Sequence, residues 1–239
     1  MNAIEKNSFT DFLTQAATHF PHPRAIVVIS AHWETQGTKI LSTQKPKTIH
    51  DFGGFPPELY EIQYPALGDT ELAEKIAREL NLKTDMSWGL DHGTWTVLKY
   101  LYPKADIPVL QLSIDQNLTL LGHYEMGAKL RKFRDEGVLF LGSGNITHNL
   151  RRIDFSSRTL VPSWAKEFDL MIKTALEERN LKVLAEIDRQ PDLWKLAHPT
   201  LEHYIPALYI YGLSTQEERV QFLFEGMELS SLSMRSFLF

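Results

Sequence analysis

Cysteine is absent from all 239 positions, which excludes disulfides, thiolate zinc sites and thiol nucleophiles together. Any metal must be held by histidine and carboxylates. Long apolar runs are lacking too: none approaches the roughly 20 residues that a helix needs to cross a bilayer, so no membrane partner is expected. The amino-terminal MNAIEKNSF is polar and acidic where a secretory signal has an apolar stretch, and a cytoplasmic location is expected. There is no Lys/Arg block with interleaved aromatics, and the formal charge of −5 is scattered, which argues against nucleic acid. The expected ligand is a small molecule. HExxH, paired HxH, GxSxG and GxGxxG are all missing, so neither a zincin, a serine hydrolase nor a dinucleotide fold is signalled. GSGN at 142–145 is glycine-poor for a phosphate cradle and lacks the lysine of a P-loop.

What is present suits a globular enzyme. A composition 43% hydrophobic and 23% charged is ordinary for such a chain, and residues 1–239 suffice for one large domain with no linker or repeat. Ser8 or Thr10 can cap a first helix carrying Phe12, Leu13, Ala16 and Ala17 at helical spacing. Apolar strands are expected at Arg24–Ala31, Lys39–Ser42, IPVLQLSI and Val138–Gly142, with helices between them at 69–80, after GLDHGTW, and at 118–133. AIVVIS and VLFLGS, apolar on both faces, read as central strands. The alternation predicts an α/β fold, a single-domain three-layer sandwich with a largely parallel or mixed central sheet and helices on both faces. The last third predicts a helix at 162–176, a polar helical segment to Asp192, a helix capped by Thr200 with Pro206 near its first turns, and a closing hairpin around GMELS. The Pro/Gly-rich stretch 45–68, containing HDFGGFP, shows no helix or strand period and reads as a functional loop.

Nine histidines stand out in this background. His32 in SAHW follows an apolar strand, at the edge where open α/β sheets bind ligands, or it caps that strand through a backbone bond. His148 follows the strand VLFLG and the glycine-bearing turn Ser143-Gly144-Asn145. His92 shares such a position, and His203, with Glu202 beside it, either joins this set or is a helix surface residue. His19, His22 and His123 read as solvated or capping residues. A cysteine-free histidine set suits Fe(II), Zn or Mn, and its imidazoles serve equally well as acid and base.

Read in order, SAHW, HDFGGFP, DHGTW, QLSID, GSGNITHNL, PTLEHY and EGMELSSLSM resemble the class III extradiol ring-cleavage dioxygenases, in the branch of 4,5-DOPA extradiol dioxygenase-like proteins. The resemblance implies a catechol, DOPA or a related phenolic substrate, opened beside its hydroxyls by O2 at one divalent metal, Fe(II) or Zn(II). It implies His32 and His203 as metal ligands. It implies His148 as the acid/base histidine, near enough to the metal to count as a ligand in some members, and His92 as a second catalytic histidine of the pocket. A neutral imidazole of pKa about 6.5 can take a catechol proton near neutral pH and return it. Phe52, Gly53, Gly54 and Phe55 are expected to line the substrate pocket, the glycines letting backbone approach a planar ring and the phenyl groups offering stacking faces. The alternative is a loop folded on its own aromatics, and His50 either binds a substrate carboxylate or caps that loop.

One departure separates the chain from the family pattern, which opens on a strand ending in an HGSP-like motif with a further metal-binding histidine. MNAIEKN is the segment that normally follows it, so an upstream strand bearing a histidine is expected before Met1. Two alternatives share the scaffold: a zinc-dependent hydrolase in which His148 shuttles a proton, and a non-enzymatic metal-binding protein.

Overall fold

The computed structural model describes residues 2–155, 160–189 and 191–239, which form two compact units. The first comprises the chain up to Asn117 together with Lys132–Ser143. It opens with helix α1 (Ser8–Ala16), whose cap is Asn7 and not Ser8 or Thr10. Thr10 is instead the far half of a reciprocal capping box: Asn7 Oδ1 accepts from its N–H, and its hydroxyl accepts from the Asn7 N–H. Strands β1 (Ala25–Thr35) and β2 (Lys39–Leu41) follow, then a single helical turn, α2 (Glu58–Glu61), inside the stretch expected to be wholly irregular. Asp69 caps α3 (Thr70–Leu80) by accepting from the Leu72 N–H at 2.9 Å, and Leu72, Ala73, Ile76 and Ala77 form its buried face. The unit is completed by β3 (Lys83–Asp85), α4 (His92–Leu101), β4 (Val109–Asp115) and β5 (Val138–Ser143).

The five strands form one sheet in the order β3-β2-β4-β1-β5. All pairings are parallel except β2 with β4, which meet antiparallel through Ile40 and Leu112, so the sheet is mixed. The α/β class, with helices flanking a mixed central sheet, is as the alternation predicted. Alternation along β1 sends Ile26 and Val28 into a core with Trp95 and Leu98 of α4 and Ala16 of α1. AIVVIS is central, as expected, with every residue from Ala25 to Ser30 buried. VLFLGS is not: it is an edge strand, as β3 is on the other side, and only its first residue is fully buried. An apolar run marks a buried strand, but which strand ends a sheet is set by tertiary pairing.

The second unit comprises Leu118–Arg131 and Gly144–Phe239. Thr119 caps α5 (Leu120–Leu130), shorter than the helix expected over 118–133 because residues 131–136 tighten into a 3-10 turn. Then come α6 (Ser163–Glu177), α7 (Leu181–Ala185), α8 (Pro191–Ala197) and α9 (Ile205–Leu213). Thr200 does not cap α9; its hydroxyl bonds Glu202, and the helix begins five residues later with Pro206 in its first turn. α5 and α9 cross closely: a Cβ at Gly127 would sit 2.2 Å from the Tyr209 carbonyl, and one at Gly212 2.0 Å from that of Tyr124. His123, expected at the surface, is buried in this contact with Nδ1 3.3 Å from the Tyr209 hydroxyl. The closing hairpin is two-stepped. β6 (Gln221–Phe224) pairs with β9 (Ser236–Leu238), and β7 (Met227–Glu228) with β8 (Leu232–Ser233) around a turn in which Leu229 and Ser230 are left-handed.

Candidate functional site

In the first unit the site begins with a flaw in β1. Between Ile29 and Glu34 this strand advances five residues while β4 advances two, from Leu112 to Ile114. Ser30–Trp33 therefore drop out of the β4 ladder and form a bulge, a feature that re-aims side chains. His32 lies within it, and not at the strand's end as the sequence predicts. Beneath the bulge is a buried polar network of Ser30, Asp91 and Gln111, all fully inaccessible. Asp91 accepts from Ser30 Oγ (2.8 Å), Gln111 Nε2 (2.7 Å) and the Thr94 N–H (3.1 Å), and its own N–H donates to Gln111 Oε1 (2.9 Å). Three donors satisfy a carboxylate whose burial is otherwise costly. The same carboxylate caps α4, so His92, its first residue, is fixed relative to β1. Gly93 completes the contact. A Cβ there would lie 2.5 Å from Ser30 Oγ and 2.8 Å from His32 Cδ2, and its carbonyl accepts from Ser143 Oγ at 2.7 Å.

The His32 and His92 rings lie 3.9 Å apart between centroids, and Asp51 joins them. Its Oδ2 is 2.9 Å from His92 Nδ1 and 3.8 Å from His32 Nδ1, while its Oδ1 accepts from the His92 N–H at 2.9 Å. Burial opposes ionisation of Asp51, but the hydrogen bonds and charge of His92 prevail and hold its carboxyl below the usual carboxylate range. Asp51 belongs to HDFGGFP. The base of that loop is tied down where the Ile49 N–H donates to Leu90 O (2.7 Å) and Trp95 Nε1 donates to Ile49 O (2.9 Å). His50 bonds the Ile62 carbonyl at 2.9 Å, closing the loop. Phe52 packs against Tyr60 (5.1 Å), His92 (5.3 Å) and Phe55 (5.5 Å). At its tip Gly54 is left-handed, nothing lies within 4 Å of a Cβ built on Gly53, and Phe55 is exposed.

In the second unit, residues 145–149 carry His148 between two supports. From the end of α8, Ala197 O accepts from the His148 N–H (3.0 Å), Leu196 O accepts from Asn149 Nδ2 (2.8 Å), and His198 Nε2 reaches Ile146 O (2.7 Å). From the hairpin, Leu232 forms a bridge with His148, the Ser233 N–H donates to Thr147 O (2.9 Å), and Ser233 O accepts from Asn145 Nδ2 (2.8 Å). Gly144 has no unusual backbone angle. Its glycine is required because a Cβ would sit 2.2 Å from His203 O, whose carbonyl accepts from the Asn145 N–H at 2.9 Å. The His148 and His203 rings stack with centroids 3.4 Å apart and planes 7° from parallel.

Two groups of side chains have the chemistry and spacing to hold a cation: His32, Asp51 and His92, and His148, Glu202 and His203. Within each, one ligand atom per residue lies within 4.8 Å of the others. Imidazole with carboxylate is a donor set for Fe(II), Zn(II) or Mn(II), and not for a soft thiolate-bound metal.

Residues 4–233 match the family of the catalytic LigB subunit of aromatic ring-opening dioxygenase. The chain belongs to the LigB family. It is 41% identical to a 4,5-DOPA dioxygenase extradiol of Escherichia coli (strain K12), over 99% of this chain and 89% of that protein. It is 38% identical to a 4,5-DOPA dioxygenase extradiol of Beta vulgaris, over 91% and 83%. A crystal structure of an uncharacterized protein from Escherichia coli K12 superposes with a TM-score of 0.85 at 36% identity, covering 98% of this chain and 93% of that one. These likenesses identify an extradiol ring-cleavage dioxygenase.

The LigB chain thus gathers its motif histidines in two pairs, His32 with His92 and His148 with His203. Sequence reasoning missed Asp51 and Asp91, although both stand beside a motif histidine, and it missed His198 entirely. His198 is 1% exposed, stacks on Trp194 (4.9 Å, 19°), and is pushed down to about 4 by burial, with the charge of His148 adding to the push and the Ile146 and Thr200 backbone opposing it. The available signal was its spacing, four residues after Trp194 at the end of a helix, which stacks the two rings on one face.

Proposed function

We propose that this dioxygenase opens a catechol of the DOPA type, or a related phenolic acid, with O2 at one divalent metal. The observation that carries the reading is that His32, His92, His148 and His203 each lie in a His-carboxylate cluster, in a chain similar over nearly its whole length to relatives named for DOPA cleavage. His32 and His203 are the ligands proposed from the motifs, and each belongs to one of those clusters. When bound, Fe(II) would supply the redox step between catechol and O2, which Zn(II) cannot.

The chain's own groups bind substrate and move its protons. His148 is the proposed base: its imidazole takes a hydroxyl proton from the catechol and returns it after the ring opens. The backbone bonds on either side of it hold the ring in one place while this happens. His92 is the proposed second catalytic histidine. Asp51 Oδ2 lies 2.9 Å from its Nδ1, and Nε2 is the ring nitrogen proposed to meet a substrate hydroxyl. Phe52 and Phe55 are proposed to stack on the aromatic ring, with the open backbone at Gly53 and Gly54 leaving room for it. Both atoms of O2 enter the product as one ring carbon–carbon bond breaks.

Anaerobic loading with Fe(II), followed by O2 and a panel of catechols including DOPA, tests the reading. Appearance of a yellow ring-opened product with at least one catechol is expected. Silence of iron-loaded protein, together with ester hydrolysis by zinc-loaded protein, would overturn it.

A further inference from the structure

We propose that His198 is a positioning residue for His148: its Nε2–H grips the Ile146 carbonyl and so fixes the His148 ring against His203. The inference rests on the reading of His148 as the base. The bond is 2.7 Å long, and a carbonyl only accepts, so the imidazole proton sits on Nε2. The ring is walled by aromatics, with Trp194 stacked at 4.9 Å and the edges of Phe168 and Tyr204 at 5.5 and 5.7 Å. Packing alone would be served as well by a phenyl group in that enclosure; the imidazole adds a donor, and the donor is spent on Ile146.

The bond falls where it controls geometry. Residues 198–203 form a short loop stapled at both ends to adjacent residues: the His198 side chain to Ile146 O, and His203 O to the Asn145 N–H. His148 lies two residues beyond one staple and His203 is itself the other. Releasing the His198 staple leaves the loop tied at His203 and removes the bond to Ile146, so the remaining bonds from Ala197 and the hairpin hold the 3.4 Å stack of His148 on His203 less tightly. A displacement of about 1 Å at a group transferring protons costs up to roughly 100-fold in rate.

His198→Phe keeps the aromatic volume and removes the donor, whereas His198→Gln restores an N–H at similar reach. The Phe chain should fold, lose about tenfold or more in kcat on a catechol with KM within about twofold, and exchange the His148 amide proton faster in metal-free protein. The Gln chain should recover most of both losses. Equal kcat and equal His148 exchange in the two variants, or wild-type behaviour of the Phe chain, would overturn the proposal. Should Phe prevent folding, His198→Met takes its place with the same expectations and the same overturning result. If wild-type protein cleaves no catechol, the functional reading fails, while amide exchange still decides whether His198 holds the segment.

Discussion

Single atoms decide the geometry around the histidines. Gly93 is the sharpest case, because helix and strand approach so closely there that one methyl group would strike both Ser30 Oγ and His32 Cδ2. Gly93→Ala is expected to displace His32 and to lower turnover by about 100-fold or more, with a stability loss of about 1–3 kcal/mol typical of overpacking. Parallel measurement of urea midpoint and kcat checks this; a variant as active as wild type would show that the bulge adapts. Within each histidine pair the two members should also separate by role. His148→Gln should cut turnover by roughly 100-fold or more with metal retained, since it removes a proton carrier. His32→Ala should lose bound metal. Metal content and rate measured for both would refute the division of roles if the variants behaved alike.

Among the elements, the closing hairpin does more than end the chain. It bonds residues 145–149 along one stretch, and it is itself anchored by Asp169 of α6, which accepts from Ser233 Oγ (2.6 Å), Arg235 Nε (3.1 Å) and Arg235 Nη2 (2.5 Å). The Arg235 side chain is only 5% exposed, and its remaining carboxylate partner is Glu225 at 2.9 Å. Asp169→Ala leaves that guanidinium half-paired and should cost about 2–4 kcal/mol in denaturant titration, with activity falling as the support of His148 loosens. No change in stability would mean that Glu225 alone suffices. Legibility from sequence also divides by element. α3 could be read in full because its cap and apolar period are local. The edge position of β5 could not, since strand order depends on distant partners. The continuation of β1 to Thr35 was hidden because a bulge interrupts the apolar run that marks a strand. At the site, the motif histidines were legible as motifs, but Asp91 and His198 act through buried bonds to residues 20 and 52 positions away.

At the scale of the whole chain, stability should carry the imprint of one buried imidazole. His198 has a folded pKa of about 4 against an ordinary 6.5, so both folded and unfolded states are neutral there above pH 6.5. As pH falls below 6.5 the unfolded chain takes a proton that the folded one refuses, and stability drops until about pH 4 by on the order of 3 kcal/mol. Urea midpoints between pH 7 and 4.5 should therefore fall less steeply for His198→Phe than for wild type; identical slopes would place the titration elsewhere. The similarity across residues 4–233 spans parts of both units, so the activity belongs to the chain as a whole. Its most direct test is turnover of a catechol by the Fe(II)-loaded protein under 18O2, with the product analysed by mass spectrometry. Extradiol cleavage predicts a ring-opened product carrying both labelled oxygen atoms; a product with an intact ring, or one without label, would contradict it.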